Sequence, residues 1–396
     1  MKYISLGYRY NLLHLALLVI FTSLRDILQI IINEFYEINS SLIFCILMFS
    51  SEFLFGIICF IYSYTHGDKK TEKEKHKLAI SLIYEKNTFK SNNNFIIIIL
   101  ILFMGSYFDF ESYIIPTYIL PKYKANITNS LDYRIRPLFI LVSSIINRFT
   151  LDKRFYKHQK LSILIIFLDF IIMISYEFIK YYGEEDYLNE LFITFLIIVV
   201  EYTLLGIHTN EVKYLIDFLY LNPYKVMFLE GLFGLLPSLL TFFVTGNYKE
   251  LKGTEHDENN NSYVLTILLI LYFILCGFKN IFAYMTIKLY SPTTYAMSDL
   301  MLVPFLITYY YIIFGDKNGY IFHFILNILL SIINIFFSCV YNELLILNFC
   351  DLEYSTYPII SNRATEVVPN KSKMGQSDME SDNTSGTYVS EMLVLN

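Results

Sequence analysis

The sequence predicts an all-α, polytopic membrane protein of ten transmembrane helices, arranged as two five-helix halves of inverted topology. Three observations predict it. Of 396 residues, 55% are hydrophobic and only 17% charged, with a mean hydropathy of +0.47, whereas soluble domains run at roughly 45–50% apolar and about 25% charged. The apolar residues collect in ten runs, each near the ~20 residues that cross a hydrocarbon core as a helix, and irregular backbone cannot face lipid, so counting such runs counts helices. Ten divides as five plus five. Because five is odd, the second half enters from the opposite face, which is the arithmetic of an inverted repeat. No convincing identity between the halves is visible, so the repeat rests on the count.

In chain order the runs lie at 11 to 32, 41 to 64, 94 to 117, 126 to 149, 160 to 180, 189 to 208, 225 to 245, 263 to 287, 293 to 314 and 320 to 347. The first follows Lys2 and Arg9 as a secretory signal would, but no small-residue cleavage site follows it and its pattern continues past Arg25 and Asp26 to Ile32; it reads as a retained helix. The fourth is interrupted by Arg134, Arg136 and Pro137, and the ninth by Asp299 and Pro304. The expected organisation is a cytoplasmic N-terminus over 1–10, a first repeat over 11–180 with a Lys-rich loop at 65–93, a second repeat over 181–347, and a tail over 348–396 with the Ser/Asp/Asn/Thr composition of disorder.

Orientation follows from Lys and Arg. With the N-terminus cytoplasmic, the segments on that side hold 16 of them, among them Lys69, Lys153, Arg154, Lys213, Lys225 and Lys288, and the opposite loops hold six. Both termini are then cytoplasmic. Asn126-Ile127-Thr128 and Asn260-Asn261-Ser262 match the N-glycosylation acceptor pattern and fall on the other side; chance in an Asn-rich chain is the competing reading. Thirty-five Tyr and no Trp leave interfacial anchoring to Tyr.

Composition also excludes classes. A net charge of -6 and a pI near 5.7 offer no basic face for nucleic acid. Five Cys sit singly, without C-x-x-C or a His at metal spacing, and read as small hydrophobes. There is no H-E-x-x-H and no G-x-S-x-G; His14 and His323 are isolated in the first and last runs. Catalysis, a cofactor and a bound metal are therefore not expected. Nor are the repeated filter residues of a channel visible.

The informative residues are charges at bilayer depth, each costing on the order of 2.5–3.5 kcal/mol on insertion scales. They are Arg25, Asp26, Glu52, Asp109, Glu111, Arg134, Arg136, Asp169, Glu177, Glu201, Glu230, Lys279, Asp299 and Glu343, ten acids against four bases. Glu177, Glu343 and Glu111 lie near run ends, where they reach water; the others imply a polar interior. An interior Pro frees a backbone carbonyl, tolerated where protein or a cavity satisfies it. Pro137 beside Arg136 and Pro304 after Asp299 occupy equivalent helices of a five-plus-five repeat, where a binding site is expected; an ordinary kink is the alternative.

Six short stretches, in order, resemble the drug/metabolite transporter superfamily, and most closely its solute carrier 35 F-type branch. They are Met48-Phe49-Ser50-Ser51-Glu52-Phe53; Asp109; Arg136 followed by Asp152-Lys153-Arg154-Phe155; Asn222-Pro223 with Glu230-Gly231-Leu232-Phe233-Gly234; Asn280 with Lys288, Ser291-Pro292-Thr293-Thr294 and Asp299; and Tyr341-Asn342-Glu343. Ser51 replaces the usual Gly, Tyr295 and Leu302 stand where the branch has Arg, and Lys279 adds a charge beside Asn280. The Asn/Lys/Ile/Tyr-heavy usage resembles proteins of A/T-rich protist genomes.

The resemblance implies a carrier working by alternating access across an intracellular organelle membrane, with Arg136 and Asp299 facing the path as solute contact or ion pair. Glu52, Asp109, Lys279, Asn280 and Glu230 join them as polar path residues, Glu230 being equally well structural. The missing Arg residues weaken a nucleotide-sugar substrate, and the acid excess favours a cationic solute or proton coupling. The expected partners are a small-molecule solute, the lipid bilayer and, in the homodimer alternative, a second copy of the chain. A receptor or scaffold that uses its tail is the rival from another class.

Overall fold

The structure is a computed structural model, which describes residues 4–6, 12–36, 41–66, 91–119, 134–151, 155–180, 185–245, 262–305, 307–308, 321–347 and 352. The Lys-rich loop over 67–90, Asn126, Asn260 and nearly all of the tail lie outside them. Within them the chain is almost wholly helical: α1 Leu12–Tyr36, α2 Ser41–His66, α3 Ser91–Ile119, α4 Pro137–Thr150, α5 Lys157–Lys180, α6 Glu185–Asp217, α7 Pro223–Thr245, α8 Ser262–Leu289, α9 Pro292–Leu300 and α10 Ile321–Tyr341. Among the described residues each apolar run carries a helix, the ninth resuming at 303–305 and 307–308 after α9. Seven of these are long and apolar enough to span a membrane, namely α1, α2, α5, α6, α7, α8 and α10. The chain is a multi-pass, all-α membrane protein.

Helix boundaries depart from the apolar runs wherever capping chemistry overrides hydropathy. The fourth helix starts eleven residues later than its run, because Pro137 has no N–H to give and sits at the first helical position, leaving α4 with 14 residues. Arg134 and Ile135 are helical as well, and a turn at Arg136 interrupts the run just before Pro137. The ninth closes at Leu300 after nine residues, and a turn at Met301-Leu302 precedes Pro304. The sixth runs past its apolar stretch to Asp217, and Lys213, expected in a loop, is buried on it, donating to the Lys288 carbonyl at 2.9 Å and pairing with Asp217 at 3.0 Å.

Asn-Pro and Ser-Pro-Thr-Thr turn out to be helix starts. Asn222 Oδ1 accepts from the Tyr224 N–H at 2.9 Å with Pro223 next, and Ser291 Oγ accepts from the Thr294 N–H at 3.0 Å with Pro292 next, the N-cap and first-turn pattern that satisfies free helix donors. Glu343, at φ 56°, ends α10 in the left-handed region. The Leu344 N–H then reaches the Cys339 carbonyl at 2.9 Å and the Glu343 N–H that of Val340 at 3.1 Å, a Schellman closure. The chain leaves it as a short strand, β2 Leu345–Leu347, antiparallel to β1 Ile4–Leu6 in the register Ile4 to Leu347 and Leu6 to Leu345. The end of the tenth run is therefore strand rather than helix.

The bundle is knitted mainly by α2 with α7, α1 with α8, α3 with α6, α4 with α6, α2 with α8, α3 with α7, α5 with α10 and α4 with α9. One apolar core joins α1, α2, α3, α7 and α8 through Leu28, Phe44, Phe49, Phe110 and Tyr272. Another joins α4, α5, α6, α9 and α10 through Ile135, Phe139, Ile166, Ile198, Met297 and Tyr341. Ile58, Phe149, Ile179, Leu240 and Val264 point outward, as lipid-facing side chains do. Lipid tails are as apolar as these residues, so helix association rests on close packing and small residues. The α2–α7 contact has both. A Cβ on Gly231 would meet Glu52 Cβ and the Phe49 carbonyl oxygen at 2.9 Å, and one on Gly56 would meet Phe228 Cβ at 2.7 Å.

Because the Gly231 neighbours include backbone atoms that cannot rotate away, Gly231→Ala is expected to destabilise by about 1–3 kcal/mol. This is read as a lower midpoint of thermal unfolding in detergent, and an unchanged midpoint contradicts the close approach.

Candidate functional site

Among the described residues, most interior polar groups gather into two neighbouring assemblies, with further pairs elsewhere in the bundle. The first assembly lies where α4 begins and α9 ends. Arg136, at the cap of α4, and Asp299, on the last turn of α9, face one another with Nη1 and Oδ2 3.4 Å apart. Their side chains are 12% and 21% exposed, so the pair is screened but reachable. Beside it Tyr295 packs edge-on against Phe139, ring centroids 5.9 Å apart. Further along the two helices, Asn147 Nδ2 donates to Thr293 Oγ1 at 3.4 Å, and Asn210 Nδ2 donates to the Gly206 and Ser143 carbonyls at 2.8 and 3.3 Å. Neutral hydrogen bonds hold α4 to α9 and to α6 at that level.

The second assembly lies where α2, α3, α6, α7 and α8 meet. It holds Glu52 from α2, Asp109 from α3, His208 and Glu211 from α6, Glu230 from α7, and Lys279, Asn280 and Tyr284 from α8. Tyr284 Oη donates to Glu230 Oε2, and His208 Nε2 lies 3.7 Å from the same oxygen. The charges of Asp109 and Lys279 act on Glu52; those of Glu211, Glu52 and Asp109 act on Glu230. Glu52, Glu230 and Asn280 are buried, and Glu52 Oε2, Glu230 Oε1 and Asn280 Nδ2 make no hydrogen bond among the described residues. Tyr295 feels Lys279 and Asp109 from this assembly and Asp299 from the first, so the two are adjacent.

All seven polar positions singled out from sequence therefore fall in these assemblies, Arg136 with Asp299 in one and Glu52, Asp109, Lys279, Asn280 and Glu230 in the other. His208, Glu211 and Tyr284 were missed. His208 closes the sixth apolar run and Glu211 lies just beyond it, and the signal for Tyr284 is its helical spacing, one turn after Asn280 on one face of α8. Glu230, whose role sequence leaves open, contacts Tyr284 and His208, and its neighbour Gly231 packs against α2.

The pairs elsewhere correct two expectations. Glu177 and Glu343 lie near helix ends but do not reach water. Glu177 is fully buried and salt-bridged to Arg134, whose side chain is 5% exposed; Glu343 is buried beside His158, with 3.5 Å between Oε1 and Nε2. Both helix ends are covered by α5's neighbours, which removes the water their position promised. A third pair is Asp169 on α5, which accepts from Asn334 Nδ2 on α10 at 2.5 Å. His14 packs near Phe282, ring centroids 6.0 Å apart. Among the described residues no three His, Cys, Asp or Glu side chains converge closely enough to hold a metal ion.

Removing one partner of a buried ion pair strands the other, so Arg134→Met is expected to cost about 3–5 kcal/mol, and Arg134→Met combined with Glu177→Leu to recover most of it. Thermal unfolding of the three variants in detergent measures the difference; a double variant no better than the single one contradicts an isolated structural pair. No protein-family model and no curated protein matches this chain.

Proposed function

We infer that the protein is a secondary carrier of the drug/metabolite transporter type, moving a small solute by alternating access between two inverted five-helix repeats. The observation that carries this reading is the Arg136–Asp299 ion pair. It joins α4 to α9, the equivalent helices of two such repeats, at the point where each is interrupted by a turn and a proline, which is where a carrier binds its solute.

Two further features support the repeat. Exchanging each helix for the one five places along maps α1 with α8 onto α6 with α3, α2 with α8 onto α7 with α3, and α4 with α5 onto α9 with α10; the pairs α2 with α7, α4 with α9 and α5 with α10 map onto themselves. The match is incomplete: α4 with α6 is far more extensive than its counterpart α9 with α1, and the contacts of α6 with α7, α8 and α9 and of α8 with α9 have no comparable counterparts among the described residues. The same exchange aligns Glu52-Phe53-Leu54-Phe55-Gly56 with Glu230-Gly231-Leu232-Phe233-Gly234, the pattern E-x-L-F-G on both members of the central pair. This internal match went unseen when the halves were compared as whole sequences. Pairing of β1 with β2 places both ends of the helical body on one side, in keeping with an even number of crossings and cytoplasmic termini. The positive-inside count favours the cytoplasm for that side, and an internal organelle membrane remains the expected setting.

The excess of acids inside the bundle favours a small cationic or proton-coupled solute over a nucleotide sugar, and Tyr295 and Leu302 supply no positive charge for a phosphate. A panel of amines, amino acids and nucleotide sugars tested by thermal shift identifies the class, since a ligand that binds only the folded state raises its apparent stability. In proteoliposomes, uptake of the stabilising solute is expected to fall to background in Arg136→Gln and Asp299→Asn while both variants remain folded, and to survive removal of residues 351–396. Uptake that needs the tail and ignores both point changes favours the receptor or scaffold reading instead.

A further inference from the structure

The second assembly is separate from the ion pair assigned to the solute, and its construction points to a different ligand. Its centre is the α2–α7 crossing, where the glycines at 56, 231 and 234 bring the backbones together and place Glu52 and Glu230, the first residues of the two E-x-L-F-G stretches, on either side of the axis that exchanges the halves. Four acids, Glu52, Asp109, Glu211 and Glu230, face one ammonium, Lys279, in a region that is almost entirely out of contact with solvent. Like charges gathered at membrane depth cannot all stand. The excess must be neutralised by something small.

Among the buried polar atoms of this assembly with no hydrogen-bond partner among the described residues are Glu52 Oε2, Glu211 Oε1, Glu230 Oε1 and Asn280 Nδ2. An unsatisfied polar atom in such surroundings costs on the order of 1–3 kcal/mol, so several of them in one cluster point to a ligand. Resting on the carrier reading, we propose that Glu52 and Glu230 form a proton-binding pair, the coupling site of the carrier, with Tyr284 and His208 as the groups that hold its proton in place. A proton fits where a metal ion does not. The Lys279 ammonium already occupies the cluster, and the acids come from four helices without converging on one point.

The remaining groups around the pair agree with this assignment. From α3 comes Asp109, whose charge reaches both members of the pair, while Glu111 is hydrogen-bonded to the exposed Tyr107 instead. From α6 come His208 and Glu211, and from α8 Lys279, Tyr284 and Cys276, the last also feeling Arg25 of α1. Cys45, on α2 one layer away, is hydrogen-bonded to Ser238 at 3.4 Å. Tyr284 donates its hydroxyl hydrogen to Glu230 Oε2, which leaves Oε1 as the oxygen that takes up the proton from water in the path and releases it there. Tyr295, between the two assemblies, feels charges of both.

Infrared difference spectroscopy of the reconstituted full chain, titrated with acid and base in light and heavy water, tests the site with the proton itself as probe. The C=O stretch of protonated carboxyl groups is expected near neutral pH, to shift in heavy water, and to disappear at alkaline pH. Glu52→Gln and Glu230→Gln each remove part of it; Asp169→Asn, which alters a carboxyl on the far side of the bundle, leaves that part intact. Should either glutamine variant fail to fold, Tyr284→Phe keeps both acids and removes only the donated hydroxyl, and a shifted band frequency is expected. A band unaffected by all three changes in the assembly overturns the proposal. So does a band abolished by adding Na⁺ at constant pH, which assigns the site to a metal cation. The measurement needs no transport: a band without solute flux sinks the carrier reading alone, and flux without the band sinks the proton site alone.

Discussion

The distance between α2 and α7 sets the terms for the rest of this molecule. In a bilayer no hydrophobic force draws two helices together, since lipid is as good an apolar partner as leucine, and association depends on how closely two backbones can pack. Gly56, Gly231 and Gly234 allow that approach, with Phe49 and Phe228 seated in the spaces where side chains are missing. Two carboxylates follow directly from this geometry. Had the crossing been wider, Glu52 and Glu230 would have faced lipid or water separately. Because it is tight, they share one buried space with groups from three further helices.

Buried charge is used here in two distinct ways. Arg134 pairs with Glu177, both out of solvent, on a segment beside α4 and on α5. Such a pair helps to fix where α4 enters the bundle. Arg136, two residues on, is paired more loosely and is partly exposed. The short step from Arg134 to Arg136 crosses from scaffold to candidate site, and Pro137 marks the step by starting a new helix there. The central assembly is a third condition, in which acids outnumber bases and polar atoms lack partners.

Much of this was legible in the residues. Ten apolar runs found ten helices because hydropathy at this length leaves the backbone no alternative in lipid, and Arg136 and Asp299 stood out because charge at that depth is rare. What was not legible depended on ends. Hydropathy averages over a window, whereas single residues act at helix starts, Pro137 through the N–H it lacks and Ser291 and Asn222 through one hydrogen bond each, so helix bounds depart from the runs. The sixth run ends at His208, yet α6 continues to Asp217 and carries Glu211 with it. Glu177 and Glu343 show the converse: nearness to a helix end is not nearness to water where neighbouring groups cover both. The E-x-L-F-G match was present throughout but is five residues long, and acquires meaning only when α2 and α7 are seen to cross.

The small sheet has a consequence for how the protein is made. β1 is synthesised before α1 and β2 after α10, so the register Ile4 to Leu347 cannot form until every helix between them has been made. Until then the first strand must wait with its backbone donors and acceptors unsatisfied by β2. Closing so long a loop in a free chain is entropically costly, but a chain already folded into the bilayer has met most of that cost through helix packing. The strand pair is thereby a completion mark: it joins the segment before α1 to the segment after α10 only when everything between has reached its place.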